Sequence, residues 1–413
     1  MLVLLGACAL FAKAFIVDYW RYDASDLEPI VVGGMLLDRG QADHLYDHDK
    51  AFFNRLDSEP HVTAASELGI RSDPRPYVMP PAIAVVARPL TGVSYVVLGR
   101  ALLLANLLAA LGAILLLDRH FRLRLATPLG GAAVLVFLHQ LEPMRAAAEL
   151  GQTTPLVLLA IVGAFVLDAR DRQVGAGLAL AFATALKLTP ALLVVPLLVA
   201  RRWRAVAAFA AATGAMLAVG LIGVGATATG TWIERMAELS MQSFPAFNNQ
   251  SLGGFLLRFE RPMQEIFSWK LFTLAPAYRI ASLAVLASGV AACVWIQRRV
   301  RHEVRRDLIW SVCIVLVLAV PSISWNHYYL YILLPAACVI RHRGPLLLVA
   351  AGLAMMWRQF GLGSNLFIHG NLLVSGCFLG LVLIAAALAA VTFASRDPIT
   401  TSSRETAPAA RSS

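Results

Sequence analysis

Charge is what this chain lacks. Asp, Glu, Lys and Arg make up 15% of its 413 residues, against about 25% in an average soluble domain. So few charges do not cover a water-soluble protein of this length. The 59% share of hydrophobic residues agrees, and the chain reads as an integral membrane protein. Cysteine is also scarce. Cys8, Cys293, Cys313, Cys338 and Cys377 all lie in apolar runs without CxxC spacing, so neither a disulfide framework nor a thiolate metal site is indicated. No repeat of fixed period is visible, nor an inverted pair of broken helices of the kind found in many transporters. The string Leu5-Gly6-Ala7-Cys8 imitates a lipoprotein cleavage box but has no charged segment before it. Residues 1–17 are therefore read as an uncleaved first span.

What is present is a series of apolar runs, each ended by charges or by a Pro/Gly break. Twelve are counted, near 1–17, 93–117, 127–141, 152–168, 174–187, 189–200, 205–226, 273–297, 307–323, 327–340, 344–359 and 369–394. The fold class expected is an all-α polytopic membrane protein with about 12 transmembrane helices. The formal net charge of +10 sits in short clusters between the runs: Arg119, Arg122 and Arg124; Arg201, Arg202 and Arg204; Arg298, Arg299, Arg301, Arg305 and Arg306; Arg341 and Arg343. That is the positive-inside pattern of cytoplasmic loops rather than a nucleic-acid surface. Alternating from a cytoplasmic N-terminus puts all these clusters inside and the loops 18–77 and 227–272 outside. A single transmembrane domain over 1–394 and a disordered cytoplasmic tail over 395–413 follow.

The 18–77 loop holds twelve acidic and six basic residues. Leu27, Ile30, Val31, Met35, Leu36 and Leu37 recur there at helical spacing, which predicts an amphipathic helix on the outer membrane face. Residues 231–243 predict a second. Interfacial helices around a membrane cleft suit an enzyme acting on lipids.

Five constellations carry candidate chemistry. In Asp23-Ala24-Ser25-Asp26-Leu27, a carboxylate beside apolar surface has the setting of a general base, or simply marks where a helix leaves the membrane. Arg145, four residues before Glu149, makes either a helix-surface ion pair or a substrate contact, and Gly151-Gln152 follows it. Lys187 lies between apolar stretches, where a cation needs a partner, a polar cavity or a snorkelling route. As a point charge it also suits a phosphate. Asn249-Gln250-Ser251 with Arg258 offers amides to sugar hydroxyls and a guanidinium to phosphate, or else forms a turn and helix cap. Asn326 and His327, in Ser322-Ile323-Ser324-Trp325-Asn326-His327-Tyr328, exceed what an aromatic belt explains. The Asp43-His44 to Asp49 stretch has HxxxH spacing but reads as an exposed turn, and no metal site is assigned.

Taken in order, these strings resemble glycosyltransferase family 87, polytopic enzymes of the GT-C class. The resemblance rests on Asp26-Leu27, Gly40, Leu45-Tyr46-Asp47, Tyr77 with Pro80-Pro81, Gly151-Gln152, Lys187-Leu188-Thr189-Pro190, Asn249-Gln250-Ser251 with Arg258, and Ser322-Ile323-Ser324-Trp325-Asn326-His327. Two positions depart from the pattern, Ile30 and Tyr328. The resemblance implies a polyprenyl-phosphate sugar donor, most readily mannose, a lipid or glycan acceptor, and no cofactor, metal or nucleic acid. It also implies an active site on the outer face of a bacterial inner membrane. Asp26 would be the base of an inverting transfer and His327 a second catalytic group, with Tyr77, Arg145, Gln152, Lys187, Asn249, Arg258 and Asn326 binding substrates. The competing reading from composition is a multi-span transporter or lipid flippase, which an intramembrane lysine and broken helices also fit.

Overall fold

The computed structural model describes residues 2–21, 23–70, 74–357 and 374–397. It is helical apart from two antiparallel two-residue strands, β1 (Gln242–Ser243) and β2 (Phe272–Thr273), paired Gln242 to Thr273 and Ser243 to Phe272.

Among the described residues four helices are long and apolar enough to cross a membrane unaided: α5 (Tyr95–Phe121), α11 (Trp203–Ser240), α13 (Pro276–Arg299) and α17 (Gly376–Ala394). Shorter apolar helices pack between them: α1 (Leu2–Ala12), α6 (Pro128–Gln140), α8 (Thr154–Ala169), α9 (Gln173–Leu186) and α10 (Val194–Val199). The protein is thus a multi-pass membrane protein; four helices among the described residues have full span length, and the sequence count of twelve also took in shorter runs such as those of α1, α6, α8 and α9. Part of the expected 369–394 run and the turn at 359–368 lie outside the described residues, as does 398–413 of the expected tail.

The core is built where α8 packs on α5 and α9, and α9 on α11. Val157, Leu158, Ile161, Val162 and Phe165 of α8 are completely buried. So are Leu308, Ile314, Val317 and Leu318 of α14 (His302–Ala319). Helices apolar all round are what a membrane interior demands.

Basic turns gather at one end of this bundle. Arg202 and Arg306 approach the buried Asp168 at 3.1 and 3.5 Å, and the Trp310 indole donates to it at 3.1 Å. His120 and His342 approach Asp307 at 3.5 and 2.9 Å. These contacts draw the four arginine-bearing turns together. Asp168 ends α8, whereas Gln152 precedes its first turn. Sixteen residues of helix, about 24 Å, therefore separate Gln152 from the arginine end.

At the far end, the described residues of 23–90 pack into small clusters completed by Tyr95 and by Val224, Ala228 and Trp232 of α11. The expected helix is α2 (Glu28–Asp38), but it is no interfacial ribbon. Val31, Val32 and Leu36 are fully buried, and α2 lies against α3 (Glu59–Glu67) and α4 (Pro81–Ala87). Gly33 and Gly34 explain the difference. A Cβ on Gly33 would stand 3.0 Å from the Tyr77 ring, and one on Gly34 3.0 Å from the Ala87 backbone. The face read as polar is therefore a second packing face. Likewise, the expected 205–226 span and 231–243 helix are two arms of α11. They are bent at Gly225 (φ 85°, ψ 170°), a conformation that glycine adopts without steric cost.

Candidate active site

Backbone geometry places Asp26. Ala24 (φ 46°) and Gly151 (φ 67°) both turn left-handed, and they touch. A Cβ on Gly151 would lie 2.8 Å from the Ala24 Cα. Gly151 is the residue after α7 (Glu142–Leu150), where helices commonly end in this conformation. The Asp26 N–H donates to the Leu150 carbonyl at 2.8 Å, and the Tyr95 hydroxyl donates to the Ala24 carbonyl at 2.8 Å. The loop after the first helix is thereby fastened to the C-terminus of α7.

From there the side chains form a relay. Arg75 Nη1 donates to Asp26 Oδ1, and Gln152 Nε2 donates to Asp26 Oδ2. Lys187 Nζ donates to Gln152 Oε1 at 2.6 Å. The Gln152 amide can face only this way, since its NH2 meets a carboxylate and its oxygen an ammonium. Asn106 Nδ2 holds the Gln152 backbone carbonyl at 2.7 Å. The Lys187 ammonium lies 4.6 Å from the Tyr328 ring centroid, within cation–π range. Tyr328 meets His327 edge-on at 4.9 Å. His327 is 2% exposed, and neither ring nitrogen has a hydrogen-bond partner among the described residues. A buried imidazole left so is a candidate for a bound group.

The remaining sequence candidates sit elsewhere or serve as struts. Arg145 is clamped in its own helix, with Nε and Nη2 donating to Glu142 at 2.8 and 2.9 Å and Nη1 to Glu149 at 2.9 Å. Tyr77 is buried in one of the small clusters, its hydroxyl donating to the Pro80 carbonyl at 3.1 Å. Asn249 uses all of its amide. Nδ2 donates to Ser243 Oγ (3.0 Å) and the Phe244 carbonyl (2.9 Å), while Oδ1 accepts from the N–H of Ser251 (3.3 Å) and Ser324 (3.0 Å). Arg258, on α12 (Leu252–Glu260), donates Nη1 to the Asn249 carbonyl at 2.8 Å and Nε to Ser375 Oγ at 3.0 Å. Burial holds its pKa down to about 10. Ser251 caps α12 through Gly254 N–H at 2.9 Å. This knot grips Ser322–Trp325, the segment leading directly into Asn326 and His327. Asn326 Oδ1 accepts from the His327 N–H at 2.9 Å.

Sequence reasoning missed two groups. Arg75 has no spacing signal, because 49 residues separate it from Asp26. Glu28 had one, two residues beyond Asp26. Its buried carboxylate accepts the Arg75 backbone N–H at 3.2 and 3.3 Å. Burial raises its pKa to about 7, the Arg75 contacts opposing and Asp26 adding to the rise.

The raised pKa fixes a sign for stability. A carboxyl that binds its proton more tightly when folded stabilises the fold fully below its unfolded pKa. That contribution is lost as pH climbs toward 7. The loss is on the order of 3 kcal/mol between pH 4.5 and 7. His61, lowered to about 4 by burial, slopes the opposite way over pH 4 to 6.5. Thermal unfolding of wild type and Glu28→Gln across pH 4.5–8 separates the two. The Tm difference between the proteins should shift with pH in the sense that wild type loses ground as pH rises, and a constant difference refutes the assignment.

The profile of glycosyltransferase family 87 matches residues 77–321, well over half of the chain. This chain belongs to glycosyltransferase family 87. It is a membrane glycosyltransferase. The matched stretch contains Gln152, Lys187, Asn249 and Arg258, while Asp26 and His327 flank it on either side. Comparison with curated proteins gave no match. Among the described residues no cluster of three His, Cys, Asp or Glu is placed to hold a metal.

Proposed function

We propose that this family 87 enzyme transfers a sugar, mannose in the first instance, from a polyprenyl-phosphate donor to a hydroxyl of a lipid or glycan acceptor. Transfer takes place on the extracytoplasmic face of a bacterial inner membrane. The observation that carries the reading is the relay from Asp26 through Gln152 to Lys187, ending beside the unpartnered His327. A carboxylate and a cation held at the two ends of one amide suit the two ends of a displacement at an anomeric carbon.

In this reading the Asp26 carboxylate takes the proton of the acceptor hydroxyl as its oxygen attacks the anomeric carbon. The bond to the donor phosphate breaks on the opposite side, so the centre inverts and a β-linked donor gives an α product. The leaving group departs as a lipid phosphate, already a stable anion, and needs positive charge and hydrogen-bond donors more than a proton. Lys187 spends one N–H on Gln152 and has two for a phosphate. His327 supplies a further donor, and Asn326 orients it. Arg75 aims the carboxylate. Arg145, Tyr77, Asn249 and Arg258 hold the frame.

The same helix supports the side of the membrane assigned in this reading. Gln152 precedes α8 and Asp168 ends it among the arginine turns, which the positive-inside rule puts in the cytoplasm. The test uses sealed right-side-out vesicles given a short-chain prenyl-phosphate mannose from outside. Labelled glycolipid should form from this donor and not from GDP-mannose. Transfer from the nucleotide sugar, or only after the vesicles are opened, overturns the reading.

A further inference from the structure

At the opposite end of the molecule, α13, α14 and α17 enclose an apolar groove of about 710 Å³. Small residues make room in it, among them Ser288, Ala292, Ala385 and Ala389. Along α13 it runs from Val285 to Ile296, about 16 Å of helix. That is roughly half of the ~30 Å hydrocarbon thickness of a bilayer. The groove is thus as long as one leaflet. It also faces outward, since only 11% of the apolar stretch of α13 is buried in the protein.

The end of the groove is cationic. The Arg396 guanidinium lies 4.3 Å from the Phe393 ring centroid and 5.0 Å from that of Trp295. Among the described residues no carboxylate pairs with it. Arg396 bridges to Val300 through its backbone, and the Arg301 N–H donates to the Ser395 carbonyl at 3.1 Å. Its charge therefore sits in the turn that carries Arg298, Arg299 and Arg301. A cation stacked on two aromatic rings at the mouth of a leaflet-length apolar slot is built for an amphiphile with an anionic head.

We propose that this groove binds one acyl chain of an anionic phospholipid from the leaflet on the arginine-bearing side, with the phosphate against Arg396. The chain fills the space left by Ser288, Ala292 and Ala389, and the headgroup neutralises a cation that the described protein leaves unpaired. Charge complementarity selects the occupant. A zwitterionic headgroup carries a positive group of its own into an already basic turn, so its gain is smaller. The inference rests on the membrane setting and not on the transfer reaction. No sugar is transferred in its test, so either reading can fail without the other.

The test places the full chain in nanodiscs and follows the part of the fluorescence due to Trp295, taken as wild type minus Trp295→Phe. Lipids with brominated acyl chains quench on contact. Half-quenching should need about fivefold less brominated phosphatidylglycerol than brominated phosphatidylcholine, the gain of one basic side chain near an anionic lipid. Arg396→Gln should erase the preference, and Ala389→Phe, which fills the slot, should weaken quenching by both lipids. Where Trp295→Phe does not fold, native mass spectrometry reads the same contrast as phosphatidylglycerol adducts retained by wild type and lost in Arg396→Gln. Equal quenching by the two lipids, or none by either, overturns the proposal. So does quenching that appears only once residues 398–413 are deleted, which would give the groove to the chain's own tail.

Discussion

Asp26→Asn should abolish sugar transfer, lowering kcat by ~10²–10⁴-fold, the range of a lost general base. The substitution nearly preserves shape, so the loss cannot be assigned to packing. It does change the hydrogen-bond logic. The amide introduced there either loses the donation from Arg75 or turns its own NH2 toward Gln152 Nε2. Gln152 cannot answer by rotating, since that would aim its NH2 at the Lys187 ammonium. Asp26→Glu keeps the charge but moves it by one methylene, and should recover only part of the rate because misplacement of about 1 Å is costly. The measurement is initial rate against donor and acceptor concentration, with the Tm of each variant as a fold control. Wild-type turnover in a folded Asp26→Asn protein would remove this carboxylate from the chemistry.

Lys187→Met should be the second severe change, lowering kcat/KM for the donor by ~10²–10³-fold, as loss of one donor to a developing anion does. The methionine fills the space of the lysine stem and can stay against the Tyr328 ring, so the charge and the donation to Gln152 Oε1 are what is lost. The fold should tolerate this well, because a half-buried cation in apolar surroundings is itself a cost. Lys187→Arg should not restore the rate. A planar fork cannot present one compact charge to both Gln152 Oε1 and a phosphate in the space an ammonium occupies. Steady-state kinetics with varied donor decide the matter. An unchanged kcat/KM in Lys187→Met leaves the leaving phosphate to His327 alone.

Much of this site was legible one string at a time. Asp26, Gln152, Lys187 and His327 each stand out in the sequence because a polar or charged group at the edge of an apolar run needs a reason. Their convergence was not legible. Asp26 and Gln152 are 126 residues apart and meet through a short helix terminus, and Gln152 reaches Lys187 across another 35. Arg145 shows the reverse case. Its spacing to Glu149 allowed an ordinary helix ion pair, and its geometry is that pair, extended by Glu142.

Asn249 and Arg258 show that residue type alone says little of a side chain's surroundings. Both look like sugar and phosphate ligands, yet carbonyls, serine hydroxyls and backbone N–H groups occupy the donors and acceptors described above. α2 is a different case. Counting only Leu27, Ile30, Val31, Met35, Leu36 and Leu37 gives one apolar face. Val32, Gly33 and Gly34 on the other side supply a second, which periodicity analysis discounts because glycine has no side chain to score. Glu28 is hidden by the same emphasis, since it counts among the loop's solvated charges while the fold buries it.

The seat of Asp26 has a practical consequence in exchangeability. Its place is set by an N–H to a carbonyl and by the contact of Ala24 with Gly151, and no side chain of the described residues 29–70 takes part in either. The described residues of that stretch pack with Tyr77, α4 and Val224, Ala228 and Trp232 of α11 into walls that stand on this fixed seat. A counterpart from another member of the family, exchanged from Leu27 through Leu90 so that α2 keeps the Tyr77 and α4 it packs on, would bring its own walls to a carboxylate that has not moved. Swaps of this kind give a route to changing what the enzyme glycosylates without rebuilding how it does so.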